Sequence, residues 1–286
     1  MDNIMELKNV CKSYEGFKLN NVSFCLPKGS IMGFVGENGA GKTTTIKAIL
    51  NLIKIDSGSI EVLGLNNIKH EKQIKEQIGV VFDESYFHDN LKPRDISKIM
   101  KDVFSNWDGK LFNYYINRFK LPENKIIKEF SKGMKMKLSI ATALSHNPKL
   151  LILDEATSGL DPVMRNEILD VFLDFIQDED HSILISSHIT SDLEKIADYI
   201  TFINQGKIVF SNSKDDIIYN YGVLKCGLND FKKIDKTYMV AHRKSQFGYE
   251  VLVNKKNEIK KKYKDFIVDN ISIEDLMLFY VRGELI

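Results

Sequence analysis

Gly36 to Thr43 reads GENGAGKT, with glycines at 36, 39 and 41 and the spacing G-x-x-x-x-G-K-T. Glycine carries no Cβ, so backbone N–H groups of such a loop can close around an anion. In that pattern Lys42 reaches the β- and γ-phosphates, and the Thr43 hydroxyl faces Mg²⁺. The flanks agree. Ser30–Gly36, SIMGFVG, is a short buried-type strand, and Thr43–Ile53, TTTIKAILNLI, is an amphipathic helix. Strand, glycine turn and helix together predict an α/β fold. Gly36, Asn38, Gly39, Ala40, Gly41, Lys42, Thr43 and Thr44 are the expected phosphate-binding residues.

Downstream, Leu150–Pro162 reads LLILDEATSGLDP. Asp154 ends an apolar run of the kind found in parallel sheets, where a carboxylate can hold Mg²⁺ directly or through water. Glu155 follows at once and can polarise an attacking water. Two acids at a strand end can also act only as caps, but a phosphate loop in the same chain favours chemistry. Asp161-Pro162 opens a helix with proline in its first position, and Asp161 there is a natural cap. Ser186–Glu194, SSHITSDLE, places His188 just past another strand, on the edge where ligands gather in such sheets. Ser191 and Glu194 have the spacing of a capping box for the next helix. Phe130–Leu138, FSKGMKMKL, reads as a second helix start, with Ser131 as cap and Lys132 opposing the positive end of the helix dipole.

The rest fits around these motifs. MELKNVCKSY and LNNVSFCLPKG read as an antiparallel strand pair, GSIEVLG and IGVVF as further strands, and YITFINQGKIVF as a hairpin turning at Gln205-Gly206. From about 92 to 146 the pattern is helical. Helices are also expected near 162–177 and 190–198. Composition shifts near 211–221, and residues 216–286 read as a small α+β accessory domain after a first domain spanning 1–215. Residues 225–286 hold 13 Lys/Arg and 9 Asp/Glu. The cluster KKNEIKKKYK reads as a solvated face, with contact to anionic lipid or RNA as its alternative.

Bulk composition excludes several classes. With 43% hydrophobic and 28% charged residues, a globular core is available. A net charge of +1 argues against nucleic acid as the main partner. The cysteines, Cys11, Cys25 and Cys226, form no CxxC or Cys/His pattern, which predicts a reduced compartment and no zinc site. The N-terminus does not read as a signal peptide, and no run reaches the roughly 18–20 apolar residues of a bilayer span.

Taken in order, these motifs resemble the ATP-binding subunits of ABC transporters over about residues 4–215. GENGAGKTT resembles the Walker A motif, LLILDE Walker B, SGLD the D-loop, His188 the switch histidine and FSKGM the signature usually written LSGGQ. The resemblance implies a P-loop NTPase fold of the ABC type: a mainly parallel core sheet, an antiparallel β subdomain and a helical subdomain. It implies ATP and Mg²⁺ as ligands and ATP hydrolysis as the activity. Tyr14 sits where the family stacks an aromatic ring on adenine; a half-buried strand tyrosine is the other reading. Cassettes of this family pair head to tail, so Ser131 and Gly133 would face the γ-phosphate of ATP held by a second ATPase subunit, and a lone copy would hydrolyse poorly. The implied partners are that second cassette and a polytopic membrane permease, with no nucleic acid. The implied place is the cytoplasm, peripheral on the inner face of the cell membrane.

Two departures from the pattern are specific. Lys132 and Met134 replace a glycine and a glutamine of the signature, a form similar to exporter cassettes for antimicrobial peptides and bacitracin-like drugs. Asp83 stands at the Q-loop position, where the family has glutamine. It is a candidate metal ligand that also brings negative charge toward the γ-phosphate. The reading is therefore an ATPase driving an exporter of a drug, antimicrobial peptide or similar amphipathic molecule. A soluble cassette ATPase in translation or DNA maintenance, an importer ATPase and a weakly catalytic regulatory subunit are the competitors. Translation-type members carry two cassettes per chain. Repair-type members carry a long coiled coil, and only 112 residues separate Lys42 from Asp154 (154 − 42).

Overall fold

The computed structural model describes residues 2–84, 86–246 and 248–286. A six-stranded sheet forms its centre. In spatial order the strands are Lys207–Ser213, Tyr199–Asn204, Ile31–Val35, Ser182–Ser187, Leu150–Asp154 and Ile78–Val81. All neighbours are parallel except the first two, which form the hairpin expected at Gln205-Gly206. The apolar runs have the composition of strands covered on both faces, and their side chains divide with period two. Leu151 and Leu153 enter one core with Ile31, Val35, Ile183 and Ile185. Leu150 and Ile152 enter the other with Met32, Phe34 and Leu184.

That second core is closed by a four-stranded antiparallel sheet, in the order Phe17–Pro27, Asn3–Tyr14, Ser57–Val62 and Leu65–Asn66. The first core is closed by helices Pro93–Val103, Gly109–Arg118 and Lys132–Leu144, the expected helical segment. The hairpin turn braces the centre. Gln205 and Gly206 have φ of 46° and 72°, and a Cβ on Gly206 would lie 1.9 Å from the Lys18 carbonyl oxygen. Only glycine permits that approach.

Residues 222–285 form a five-stranded sheet, in the order Ile267–Asn270, Gly222–Cys226, Gly248–Val253, Met239–Ser245 and Glu284–Leu285. One face, with Leu224, Val251 and Val253, packs on Ile259 of the lysine-rich helix Lys256–Lys262. From the other face Val223, Ala241 and Leu252 join the main core beside Ile273, Leu276 and Phe279 of the helix Ile273–Arg282.

The capping box expected at Ser191 and Glu194 does not form. The helix spans Thr190–Ile196, its cap is Ile189, and no side chain closes it. Thr190 is already helical, so Ser191 lies one residue inside the helix. Glu194 bonds elsewhere.

His146 marks the seam between the sheet and the helical segment. Its ring stacks on Phe104 at 4.0 Å, and Nε2 lies 3.0 Å from the Ile78 carbonyl oxygen. Burial pushes its pKa below the ordinary imidazole value. The unfolded chain then binds a proton more readily, so stability is lost as pH falls through the unfolded value near about 6.5. The urea midpoint, read from Trp107 fluorescence, is expected to be lower at about pH 5.5 than at about pH 7.5. His146→Gln should flatten that difference; an unchanged pH slope in the variant would remove His146 from the account.

Candidate functional site

Three strands of the central sheet end at one edge, in register at Val35 with Ser187 and at Asp154 with Ser186. The loop after Ile31–Val35 leads into the helix Lys42–Ile49. Gly41, the helix cap, has φ of 114°, and a Cβ there would stand 2.8 Å from Leu19 Cδ2 and 3.0 Å from Phe17 Cζ. At Gly36 a Cβ would stand 2.5 Å from the Ile203 carbonyl oxygen. The loop is held from outside by the hairpin turn, where the Gly206 N–H donates to the Ala40 carbonyl at 2.9 Å. No side chain caps the helix, so its first-turn N–H groups suit an anion. Lys42 is only 6% exposed. Its ammonium donates to the carbonyls of Gly36 at 2.8 Å and Glu37 at 3.3 Å, and pairs with Glu155 Oε1 at 3.4 Å.

Asp154 is buried, and the Ser186 hydroxyl donates to its Oδ1 at 2.5 Å. The same hydroxyl oxygen accepts the Glu155 N–H at 3.2 Å, so Ser186 ties the two acids together. Glu155 has φ of 55°, a left-handed conformation that costs a residue with a side chain roughly 1–3 kcal/mol. The turn carries its carboxylate to His188, with Oε2 and Nδ1 2.6 Å apart. A carboxylate has no proton to give, so Nδ1 carries the hydrogen and Nε2 is left for a second partner. Oε1 is buried without a hydrogen bond; its approach to Lys42 is an ion pair only.

Lys42, Glu155 and His188 are thus brought into direct contact, with Asp154 bridged to them by Ser186. Thr43 is exposed beside Lys42, Asn38 is exposed in the loop and Thr44 is half-buried. Tyr14 is 47% exposed, with the Lys12 ammonium 5.3 Å from its ring centroid. It pairs across its hairpin with Phe17, the ring against Gly41, so this hairpin end lies at the loop. Asp161 caps its own helix, with Oδ1 accepting the N–H groups of Val163 and Met164, both at 3.0 Å. Asp83 is exposed and, among the described residues, has no hydrogen bond or ion pair with this group.

Ser131 caps the helix Lys132–Leu144, accepting the Met134 N–H at 3.2 Å. Gly133 is buried beneath Met164, whose Sδ would lie 2.3 Å from a Cβ placed there. The Lys132 ammonium lies against Gly159 of the SGLD turn. Among the described residues no hydrogen bond or ion pair joins Ser131, Lys132 or Gly133 to Lys42, Glu155 or His188. The two halves of the expected site are thus not bonded to each other among the described residues. Ser186 was not singled out by sequence reasoning, its only signal being its place directly before Ser187-His188; Gly206 was read as a hairpin residue, without its bond to the phosphate loop.

A family model described as "ABC transporter" matches residues 19–158. The chain is 30% identical over 263 residues to the ABC transporter ATP-binding protein YtrB of Bacillus subtilis (strain 168), covering 91% of this chain and 90% of that protein. The chain belongs to the ABC transporter ATP-binding proteins. It is also 36% identical over 212 residues to the bacitracin transport ATP-binding protein BcrA of Bacillus licheniformis, covering 73% of this chain and 69% of the relative. A solved ATP-binding subunit of an ABC transporter superposes with a TM-score of 0.69 at 25% identity, over 75% of this chain and 91% of that one. The expected α/β fold with its parallel core and antiparallel strands is the one observed, and the cassette is an ATPase. No helix among its described residues is long and apolar enough to cross a membrane.

Among the described residues of the cassette, no three His, Cys, Asp or Glu side chains converge to hold a metal unaided. Mg²⁺ bound with a nucleotide takes most of its ligands from phosphate oxygens and water and needs one or two from the protein. The residues present fit Mg²⁺ on those terms: the Thr43 hydroxyl is accessible, and Asp154 keeps one carboxylate oxygen beyond its bond to Ser186.

Proposed function

We propose that the cassette hydrolyses ATP as half of a paired ATPase that drives a membrane exporter, with an antimicrobial peptide or similar amphipathic drug as cargo. The observation that carries the catalytic part is the contact of Glu155 with both Lys42 and His188 at the sheet edge. Lys42 and the loop N–H groups hold the phosphates, and Tyr14 packs on the base. Thr43 and Asp154 would hold Mg²⁺, which would neutralise phosphate charge when bound; Asp83, at the Q-loop position, is a candidate further oxygen donor. Glu155 accepts a hydrogen bond from the attacking water, and its proton as the water oxygen bonds to the γ-phosphorus and the bond to the β-phosphate oxygen breaks. His188 donates through Nδ1 to Glu155 and holds that carboxylate in place; a bond from Nε2 to the γ-phosphate requires a hydrogen on that nitrogen as well. Phosphoryl transfer of this kind depends on positioning and electrostatics.

Ser131 and Gly133 complete the site of a second cassette, in keeping with their lack of a bond to Lys42 among the described residues, and Asp161 shapes the turn that lies against that partner. The membrane subunit docks at an apolar cavity of about 480 Å³ beside Asp83, lined by Leu52, Phe82, Phe87, Met100, Phe104 and His146 among others. In this reading the cassette works at the cytoplasmic face of the membrane. Residues 1–215 form the ATPase domain and 216–286 an accessory domain. The export reading is supported by the SKGM signature and by likeness to a bacitracin transport protein. It is tested by deleting the chain from its host and measuring growth in bacitracin. Loss of resistance, restored by the wild-type chain and not by Lys42→Met, is expected; unchanged growth in bacitracin and in other antimicrobial peptides would exclude this cargo class.

A further inference from the structure

The helix Thr190–Ile196 begins two residues after His188 and is gripped from two sides. On one side Asp192, 1% exposed, faces Arg165 of the helix Pro162–Phe175, with Oδ2 and Nε 3.6 Å apart. Both atoms are buried and neither makes a hydrogen bond. Arg165 also donates to the Leu160 carbonyl of the SGLD turn at 3.2 Å. On the other side Glu194 Oε1 accepts the N–H of Ile273 at 2.8 Å. Ile273 is the first residue of the helix Ile273–Arg282, so the carboxylate meets a free N–H at the positive end of a helix dipole. That helix is anchored independently. Phe279 is fully buried, and the Tyr280 ring packs on Phe210 at 5.6 Å and Phe202 at 6.4 Å.

We propose that Asp192 and Glu194 are positioning residues for His188, and that through Glu194 the C-terminal helix sets the rate of hydrolysis. The inference rests on the assignment of hydrolysis to Glu155 and His188. Neither positioning residue touches the reacting atoms. Asp192 holds the short helix to the SGLD turn through Arg165, and Glu194 holds it to a rigid helix from the far end of the chain. With both anchors in place the His188 imidazole is fixed 2.6 Å from Glu155. Freeing one anchor lets the short helix tilt, and a displacement of about 1 Å at a reacting group can cost on the order of a hundredfold in rate.

The test compares Glu194→Ala and Glu194→Gln in the full chain, reading ATP affinity, turnover at saturating ATP and the unfolding midpoint. Glu194→Ala should lower saturating turnover about tenfold, with ATP affinity within about twofold of wild type. Glu194→Gln keeps an oxygen for the Ile273 N–H and should recover most of the rate. Ile273→Pro removes the same bond from the other end, at a helix position that tolerates proline. The double variant should be no slower than the slower single one. Wild-type turnover in Glu194→Ala, a Glu194→Gln as slow as Glu194→Ala, or additive losses in the double variant would overturn the proposal. The underlying assignment fails separately, if Glu155→Gln and His188→Ala keep turnover.

Discussion

Glu155→Gln is expected to bind ATP as the wild-type chain does and to hydrolyse it at least about a hundredfold more slowly. Glutamine has the same shape and keeps an oxygen for His188 Nδ1, now 2.6 Å from the carboxylate. The backbone bonds from Glu155 N–H to Ser186 are untouched. What is lost is the group able to take a proton from water. Phosphate release measures the turnover, and nucleotide retained after rapid gel filtration measures binding. Retention should rise, because bound ATP is no longer consumed. Wild-type phosphate release would remove Glu155 from the mechanism and leave its left-handed backbone without a functional reason.

The second large effect is at Lys42. Lys42→Met keeps the apolar stem and removes the charge. Hydrogen bonds to charged groups contribute about 1.5–3 kcal/mol each, so ATP affinity should fall by roughly one to two orders of magnitude. Stability should respond differently. Lys42 is 6% exposed and its pair with Glu155 is loose, at 3.4 Å. Removing one partner of a buried pair leaves the other charge uncompensated and destabilises, but Glu155 keeps His188 at 2.6 Å, which limits the loss. A titration with a fluorescent ATP analogue and a urea melt separate the two. Weak binding with only a modest drop in the midpoint is expected; loss of the folding transition along with affinity would make Lys42 a structural residue first.

What the sequence made legible was local. Strand, loop and helix at residues 30–53 are written in buried runs, glycine spacing and apolar period. Asp161-Pro162 and Ser131 announce helix starts that form where expected. The capping box at Ser191 failed because local spacing cannot report that the helix begins at Thr190, two residues before a Ser191 cap would start it. Glu194 is claimed instead by Ile273, 79 residues away. Ser186 and Asp154 meet across neighbouring strands, 32 residues apart. The left-handed turn at Glu155 leaves no compositional trace, because glutamate is not a residue that favours it. Gly206 was readable as a hairpin residue, whereas its bond to Ala40 in the phosphate loop belongs to the tertiary fold.

The central claim is that one chain supplies half of a paired ATPase that works on a membrane protein. Its most direct test is purification of tagged Glu155→Gln from detergent-solubilised native membranes in the presence of ATP, with mass spectrometry of what accompanies it. A polytopic membrane protein together with a second cassette, either another copy or a relative, is the predicted result. Recovery of the chain alone, or with ribosomal or DNA-associated proteins instead, would contradict it.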